Sequence, residues 1–218
     1  MPDVRIQGQE RDAGSRGAIL DVAERLMATR GYAATSISAI CRDSGLPPPS
    51  VYWHFGSKKG LLAAVMERGA RRWFAGMPSW DDLAGEPGER VTALLAAGAD
   101  ALAGHPLFLR LFYMLALDGD EAAAELVRQV RSTAFERFRD GVARVLAADH
   151  PPEVVASAAE ELARFAVAFS DGCFFALQLE PGEADVRRMF ADLGTALLAL
   201  APIVIARAAE PGRKEGPE

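Results

Sequence analysis

The segment from Pro48 to Lys59 gathers the side chains whose chemistry best suits contact with nucleic acid. Hydroxyl, imidazole and ammonium groups can hydrogen-bond to phosphate oxygens and to base edges. Aromatic rings on the surface of a short helix are costly to expose unless a partner covers them. These groups are supplied by Ser50, Tyr52, Trp53, His54, Lys58 and Lys59. The segment is therefore predicted to form a surface that meets DNA.

Two short helices joined by a turn must position these side chains. Thr35 or Ser36 can cap the first helix, because both hydroxyl groups accept hydrogen bonds from free N–H groups. Gly45 ends it, since glycine adopts the left-handed conformation of a tight C-terminal turn. The second helix is predicted from about Pro48 to Phe55, with Val51 facing inward. Such a pair is typical of a helix-turn-helix, and these residues alone fit an ordinary helical hairpin equally well.

Helices are also predicted on both sides of this pair. Ser15 is the expected N-cap of a helix whose apolar residues repeat at helical spacing and which Gly31 ends. Ser57 is expected to cap another helix over about residues 58–76. Residues 1–14 are polar and lack periodicity, so they are predicted to form a flexible arm.

Most of the remaining chain is predicted to be helical as well. Alanine and leucine dominate its apolar residues, and this composition favours helix. Prolines and glycines between residues 76 and 89 indicate a connecting loop. Beyond that loop, helices are predicted near residues 89–103, 106–117, 120–148, 152–179 and 183–208.

Charge is distributed unevenly along the chain. The 218 residues carry a net charge of −6, but residues 1–60 carry eight Arg or Lys and six Asp or Glu, a net of +2. The remaining residues therefore carry a net of −8. A basic end on an acidic body is common where that end meets phosphate, although an asymmetry this mild does not establish DNA binding by itself.

Cysteine usage and hydropathy predict a cytoplasmic protein. Cys41 and Cys173 lie far apart and have no CxxC partner, which argues against a disulfide framework or a zinc site. We expect no signal peptide, because the start of the chain has no basic and apolar stretch. The longest uninterrupted apolar run, residues 196–206, is too short to span a bilayer. No membrane contact, cofactor or metal is expected, and His105 and His150 have no second ligand at metal-binding spacing.

The same segment resembles a known family. Residues 49–55, Pro-Ser-Val-Tyr-Trp-His-Phe, with Ser57-Lys58-Lys59 and Leu61-Leu62 after them, resemble the recognition helix and the fourth helix of the tetracycline-repressor family. Residues 31–40 resemble the stretch that leads into the second helix of that family. The similar block covers about residues 15–66. The rest of the chain is similar to the family only in the number and length of its helices.

The resemblance implies an all-α fold of about nine helices. Residues 15–60 would form a three-helix DNA-binding domain that contains the helix-turn-helix. Residues 61–209 would form a larger domain for effector binding and dimerisation. Residues 210–218 would form a disordered tail.

The resemblance also implies DNA contacts at matching positions. Polar residues at the start of the second helix would contact phosphate or a nearby base, and the recognition helix would approach base edges and adjacent phosphates. A lysine at the start of the fourth helix would pair with phosphate. The residues are Thr35, Ser36, Ser38, Pro48, Pro49, Ser50, Tyr52, Trp53, His54 and Lys58. Structural alternatives stay open, because Thr35 can serve only as a cap, Tyr52 can pack on the first helix, and Trp53 can hold the neighbouring backbone.

Three consecutive prolines, Pro47, Pro48 and Pro49, depart from the family pattern, which commonly has a Ser or Thr cap and polar residues there. Proline is tolerated in the first turn of a helix, where N–H groups have no helical partner. Three prolines nevertheless remove three donors that a helix N-terminus would offer to phosphate. We interpret this end of the helix as relying on van der Waals contact, for example with thymine methyl groups.

The last two predicted helices, 152–179 and 183–208, are each apolar on two faces. A helix with two apolar faces is sandwiched between two layers. We expect the pair to pack against its copy as a four-helix bundle, since twofold symmetry lets a helix-turn-helix protein bind both halves of a palindrome. The expected interface residues are Leu162, Ala166, Phe174, Phe190 and Leu197. A buried hairpin in a monomer is the alternative.

Aromatic residues and methionine are frequent in the middle helices. They can line a pocket for a small apolar or aromatic effector, or they can simply form the core. Proteins of the family usually hold an effector in this domain, so the resemblance implies a pocket. The candidate residues are Phe108, Phe112, Tyr113, Met114, Phe135, Phe138 and Phe169.

Together, these patterns predict a dimeric transcription regulator, a repressor that binds a palindromic operator and is released by a small-molecule effector. An orphan regulator without an effector is the first alternative. An all-helical enzyme is the second. The sequence offers little support for an enzyme, because it contains no GxSxG, HExxH or P-loop pattern.

Overall fold

Most of the chain that the structure describes is helical. The computed structural model describes the backbone of residues 4–118 and 121–210, and the side chains of residues 12–118 and 123–210. Within these ranges there is no strand, and the predicted all-α fold is confirmed. The described residues form a short 3-10 turn, Trp80–Asp82, and nine α-helices: α1 Val4–Arg30, α2 Ile37–Ser44, α3 Pro48–Phe55, α4 Lys58–Ala75, α5 Pro87–Gly104, α6 Pro106–Asp118, α7 Glu121–Leu146, α8 Pro152–Leu179 and α9 Val186–Ala209.

The start of α1 differs from the prediction. Helix α1 already begins at Val4, so Ser15 lies inside it and is not an N-cap, and the arm predicted over residues 1–14 overlaps the helix. Periodic apolar residues mark only the buried part of a helix, and no proline between Val4 and Ser15 stops it from extending. Residues 1–3 lie outside the described part of the chain, as does the predicted tail from residue 211 onward.

The described chain divides into two compact units. The first contains α1 to α4, α6 and the beginning of α7. Helix α6 packs along α1, and Gly69 of α4 lies so close to Phe108 of α6 that a Cβ at this position would overlap the ring. The predicted division into residues 15–60 and 61–209 therefore does not coincide with the compact units, because α4 and α6 pack within the first.

The second unit contains the 3-10 turn, α5, the rest of α7, α8 and α9. Helix α9 packs against both α5 and α8. Ala158 and Leu162 of α8 form a buried cluster with Val204 of α9. Phe190 of α9 lies against Gly98 of α5, where a larger residue would meet its ring. Helix α9 is thus covered by two neighbours within the same chain.

These contacts correct the expected dimer interface. Four of its five residues are buried within a single protomer: Leu162, Ala166, Phe174 and Phe190. The fifth, Leu197, is partly buried against the α8–α9 cluster. Periodicity identifies an apolar helix face without saying which neighbour covers it, and here the neighbours are α5, α8 and α9 of the same chain.

Helices α8 and α9 also carry exposed apolar residues. Phe165, Gly172 and Leu179 are exposed on α8 and share one face, because they follow each other at seven-residue spacing. Leu198 and Ile203 are exposed on α9. These five residues are termed the outer α8–α9 surface. By length and composition alone, both helices are apolar enough to cross a membrane. In the most apolar 18-residue stretch of each helix, only 33% is buried in α8 and only 17% in α9. Much of their apolar surface is therefore left uncovered in the protomer.

Candidate nucleic-acid interface

The connection between α2 and α3 has the local chemistry of a helix-turn-helix. Ser36 caps α2, because its hydroxyl oxygen accepts a hydrogen bond from the N–H of Ala39 at 3.1 Å. Helix α2 ends at Gly45, whose φ of 70° lies in the left-handed region. Glycine enters this region without steric cost because it has no Cβ. Only Leu46 and Pro47 then separate this cap from α3, so the two helices are held close together.

Helix α3 presents one face to solvent. Val51 is buried on its inner side. Pro48, Pro49, Tyr52 and Trp53 are all exposed, and they are termed the outer face of α3. The exposed fractions of Tyr52 and Trp53 are 54% and 80%. The outward projection predicted for these two rings is therefore confirmed, while their contacts with DNA stay predictions.

The N-terminus of α3 lacks main-chain hydrogen-bond donors. Pro47 occupies the N-cap position, Pro48 and Pro49 begin the helix, and proline has no N–H. The next N–H group, that of Ser50, donates to the carbonyl oxygen of Pro47 at 3.0 Å. Helix α3 therefore cannot bind phosphate through its first N–H groups, as helix N-termini commonly do. At this end of the helix, half-buried Ser50 adds only its hydroxyl group.

His54 points away from the outer face, and its predicted phosphate contact is wrong. Its side chain is only 7% exposed, and its Nε2 lies 3.5 Å from the carboxylate of Asp12 on α1. The ring centroids of His54 and Phe55 are 5.8 Å apart. His54 follows buried Val51 by three residues, and this spacing places both on one helix face. The imidazole therefore packs between α3 and α1 instead of facing DNA.

Thr35 is also structural. Its side chain is buried, and its hydroxyl donates to the carbonyl oxygen of Gly31 at 2.8 Å. The phosphate contact predicted for Thr35 is therefore wrong, since the hydroxyl is both buried and hydrogen-bonded. Ser36 and Ser38 are exposed at the start of α2, where their hydroxyl oxygens lie 2.9 Å apart. These two hydroxyls stay candidates for backbone contact.

Lys58 joins the start of α4 to the turn between α1 and α2. Its Nζ donates to the carbonyl oxygen of Ala33 at 3.1 Å and lies 4.4 Å from the ring centroid of Tyr32. Partial burial lowers the pKa of Lys58, because an ammonium group loses hydration there. An ammonium group has three N–H donors, so two are left for the predicted phosphate contact. Ser57 caps α4 as predicted, accepting from the N–H of Gly60 at 3.0 Å.

Cations near α2 are partly neutralised by one carboxylate. Arg25 and Arg42 both pair with Asp43, at 3.2 and 3.1 Å. The hydrogen bond from Arg25, followed by that from Arg42, lowers the pKa of Asp43, so the carboxylate stays ionised at neutral pH. The positive charge available to phosphate on this side is therefore smaller than the residue count indicates.

An ion-pair cluster that the sequence patterns do not reveal holds α4 on α1. Arg68 of α4 donates to Asp21 and Glu24 of α1, both at 2.7 Å. Only 12% of the Arg68 side chain is exposed. Asp21 and Glu24 share a helix face, which is the one local signal, but their partner lies more than forty residues away. The cluster fixes the helix that follows the recognition helix.

The residues predicted to line an effector pocket are divided between the two compact units. Phe108, Phe112, Tyr113 and Met114 lie on α6 in the first unit, and Phe135, Phe138 and Phe169 lie on α7 and α8 in the second. In the first unit, Phe108 and Phe112 are buried, with ring centroids 6.4 Å apart. In the second, the Arg164 guanidinium carbon lies 5.3 Å from the ring centroid of Phe135. The structure therefore groups the α6 residues with one another.

Trp73 of α4 is an additional aromatic residue beside this α6 group. Its ring centroid lies 6.2 Å from that of Phe108. The indole N–H of Trp73 is buried and has no hydrogen-bond acceptor among the described residues. Leaving a buried donor unpaired costs about 1–3 kcal/mol. This donor is therefore a candidate contact for a bound molecule.

Comparison with known proteins matches the N-terminal part of the chain to one family. Residues 19–65 match the family described as bacterial regulatory proteins, tetR family. This range runs from α1 into α4 and contains both helices of the helix-turn-helix. The sequence resemblance is confirmed over this block.

Two relatives and one solved structure extend the comparison. The chain is 32% identical over 102 residues to the HTH-type transcriptional repressor KstR2 of Mycobacterium tuberculosis. This match covers 46% of the chain and spans only half, 50%, of the length of that relative. It is 29% identical over 165 residues to the HTH-type transcriptional regulator BetI of Rhizobium meliloti, covering 76% and 78% of the two chains. A transcriptional regulator from Saccharomonospora viridis in complex with choline has the same fold, with a TM-score of 0.67, 19% identity, and coverage of 85% and 96%.

The family match, the relatives and the fold agree with one another. The matched residues are those that form the capped α2, the turn at Gly45 and the outward-facing α3. The solved structure extends the likeness of fold across most of the chain. Over residues 19–65, the chain therefore matches the tetR family of bacterial regulatory proteins, and across most of its length it shares the fold of the solved regulator.

Proposed function

We propose that the protein is a cytoplasmic, dimeric repressor that binds palindromic operator DNA through α2 and α3 and releases it when a small apolar or aromatic molecule binds. The observation that carries this proposal is the exposure of Tyr52 and Trp53 on the outer face of α3, inside the block that matches the family. The names of the relatives, a transcriptional repressor and a transcriptional regulator, support it.

Helix α3 is the element suited to enter a major groove. The groove is about 12 Å wide and admits one helix. Burial of Tyr52 and Trp53 against DNA would remove a large apolar surface from water. The hydroxyl groups of Ser36, Ser38 and Ser50 would hydrogen-bond to phosphate or to base edges beside the rings.

The outer α8–α9 surface supports a dimer. Leu179 and Leu198 are 77% and 74% exposed, and packing against a second copy would bury them. Two helices from each protomer would then form a four-helix bundle around a twofold axis. The same axis would present two copies of α3 to half-sites about 34 Å apart, as a palindromic operator requires.

The aromatic residues of α6 and the unpaired donor of Trp73 support a small-molecule effector. The choline complex of the Saccharomonospora viridis protein supports such a site in this fold. An apolar or aromatic molecule with one hydrogen-bond acceptor would satisfy both the rings and the indole N–H.

Release of DNA would follow from a shift between two states. An effector that binds only the state with an unsuitable separation of the two α3 helices depletes the DNA-binding state. Changing the ratio of the two states from 99:1 to 1:99 needs about 5.5 kcal/mol of differential affinity. Helix α4 would transmit the change from the effector to the DNA-binding helices, because it carries Lys58 beside the α1–α2 turn and Gly69 against Phe108.

Selection of bound fragments from random DNA, followed by footprinting, tests the proposal. We expect an inverted repeat with two protected half-sites about one helical turn apart. Trp53→Ala should reduce the enrichment. Leu117→Ala, which removes an exposed apolar side chain on α6, should preserve it. Absence of any enriched sequence would contradict operator binding, and a single asymmetric half-site would contradict the dimer.

A further inference from the structure

The outer face of α3 lacks the groups that most often read bases. Helix α3 contains no Arg, Lys, Asn or Gln, the side chains that make bidentate contacts with guanine or adenine. The main chain at its start supplies no donor, because three prolines precede Ser50 and the Ser50 N–H is already bonded to Pro47. His54 is turned toward Asp12. Polar readout at this end is therefore limited to a few hydroxyl groups and one indole N–H.

The groups that this face does offer are apolar and well placed. Pro48 and Pro49 are exposed in the first turn of α3, and residues at the start of a recognition helix are those that contact base edges. Trp53 follows Pro49 by four residues, so its exposed ring extends the same side of the helix. Pro49 and Trp53 therefore share one side of α3, and Pro48 adds a further exposed apolar ring in its first turn.

One feature of the major groove is complementary to such exposed apolar rings. The thymine C5-methyl group is apolar and projects into the groove, whereas guanine presents two acceptors there, N7 and O6. A proline ring against guanine would desolvate these acceptors without replacing their hydrogen bonds, which is unfavourable. A proline ring against the C5-methyl group of thymine buries an apolar group, and the base presents only one acceptor there, O4.

We infer that Pro48, Pro49 and Trp53 determine operator specificity by packing against thymine methyl groups, so that each half-site carries thymine opposite the start of α3. The inference rests on the proposed function, because it requires α3 to lie in a major groove. It goes beyond that function by naming the bases that are read and the residues that read them.

Replacement of thymine by deoxyuridine tests the inference with the unaltered protein. Each thymine of the selected operator is replaced singly, which removes one methyl group and keeps every Watson–Crick hydrogen bond. At one or two positions in each half-site, we expect the Kd to rise about fourfold, the factor for one buried methyl-sized group. Thymines outside the footprint serve as the internal control and should show no change.

Protein variants assign the effect to residues. In Trp53→Ala and in Pro48→Ser combined with Pro49→Ser, the ratio of the Kd for uracil DNA to the Kd for thymine DNA should fall toward one at the sensitive positions. Leu117→Ala should keep the wild-type ratio, since Leu117 is equally apolar and exposed but lies on α6.

The outcomes separate this inference from the proposed function. An operator that is bound with the same Kd after every thymine replacement would overturn methyl readout and leave DNA binding intact. Failure to enrich any DNA sequence would overturn both.

Discussion

The ammonium nitrogen of Lys58 lies 4.4 Å from the centre of the Tyr32 ring, and it also donates a hydrogen bond to the neighbouring carbonyl oxygen of Ala33. A cation over an aromatic face contributes about 0.5–1 kcal/mol at exposed sites. The pair ties the start of α4 to the turn that leads into α2. Lys58 can therefore act on DNA in two ways, through its charge and through the position of α2.

Substitutions at Lys58 and Tyr32 separate these two contributions. Lys58→Ala should weaken binding to all DNA sequences and reduce the slope of log K against log salt by about 0.9, the value for one phosphate. Tyr32→Leu removes the ring but keeps the charge, so it should weaken binding with an unchanged slope. Fluorescence anisotropy between about 50 and 200 mM salt measures both. An unchanged slope in Lys58→Ala would remove Lys58 from the phosphate contacts.

His54 should matter for folding and not for the electrostatics of binding. His54→Ala removes a nearly buried ring between α3 and α1, and we expect it to lower the free energy of unfolding by roughly 1–3 kcal/mol. Trp53→Ala should change stability by less than about 0.5 kcal/mol, since its side chain is exposed. Urea unfolding measures the difference. A variant at His54 that is as stable as the wild type but has a smaller salt slope would restore the phosphate role.

The outer α8–α9 surface should control the oligomeric state. Leu198→Arg places a charge on that surface, where burial in a dimer would be costly. We expect this variant to be a folded monomer by light scattering and to lose affinity for the palindrome. Leu117→Arg alters an equally exposed leucine on α6 and should stay dimeric. A dimer that survives Leu198→Arg would place the interface elsewhere.

Trp73 should report on effector binding. An aromatic compound that raises the melting temperature of the wild type should stabilise Trp73→Phe less, because phenylalanine keeps the packing with Phe108 but lacks the indole N–H. DNA affinity without the compound should be unchanged. Equal stabilisation of both proteins would exclude the indole as a contact. A broad screen without any stabilising compound would favour an orphan regulator.

Cys173 should make stability depend on alkaline pH. Burial raises the pKa of its thiol from 9.0 to about 11, because the thiolate loses hydration. The unfolded chain then loses this proton at a lower pH than the folded chain, so stability present below pH 9 is lost as the pH rises toward 11. We expect up to about 2 kcal/mol of extra loss in the wild type relative to Cys173→Ala. Parallel pH profiles of unfolding would contradict the shifted pKa.

Local residue patterns predicted the two short helices and the turn between them, because these signals act over short distances. Ser36 caps a helix through an N–H three residues away, and Gly45 ends the same helix through its own φ angle. Val51 faces inward because neighbouring residues on one helix face share an environment. The outward projection of Tyr52 and Trp53 follows from the same periodicity. None of these features depends on a distant part of the chain.

Other features were decided only by partners that are distant in sequence. Arg68 of α4 is buried because Asp21 and Glu24 of α1 meet it. Leu162 lies in the protomer core because α9 covers that face of α8, whereas Leu179 on another face is exposed. The sequence by itself determined which segments are helical and which faces are apolar, since these follow from interactions within a few residues. The tertiary structure alone decided which of those faces is covered, because burial depends on how separate helices pack together.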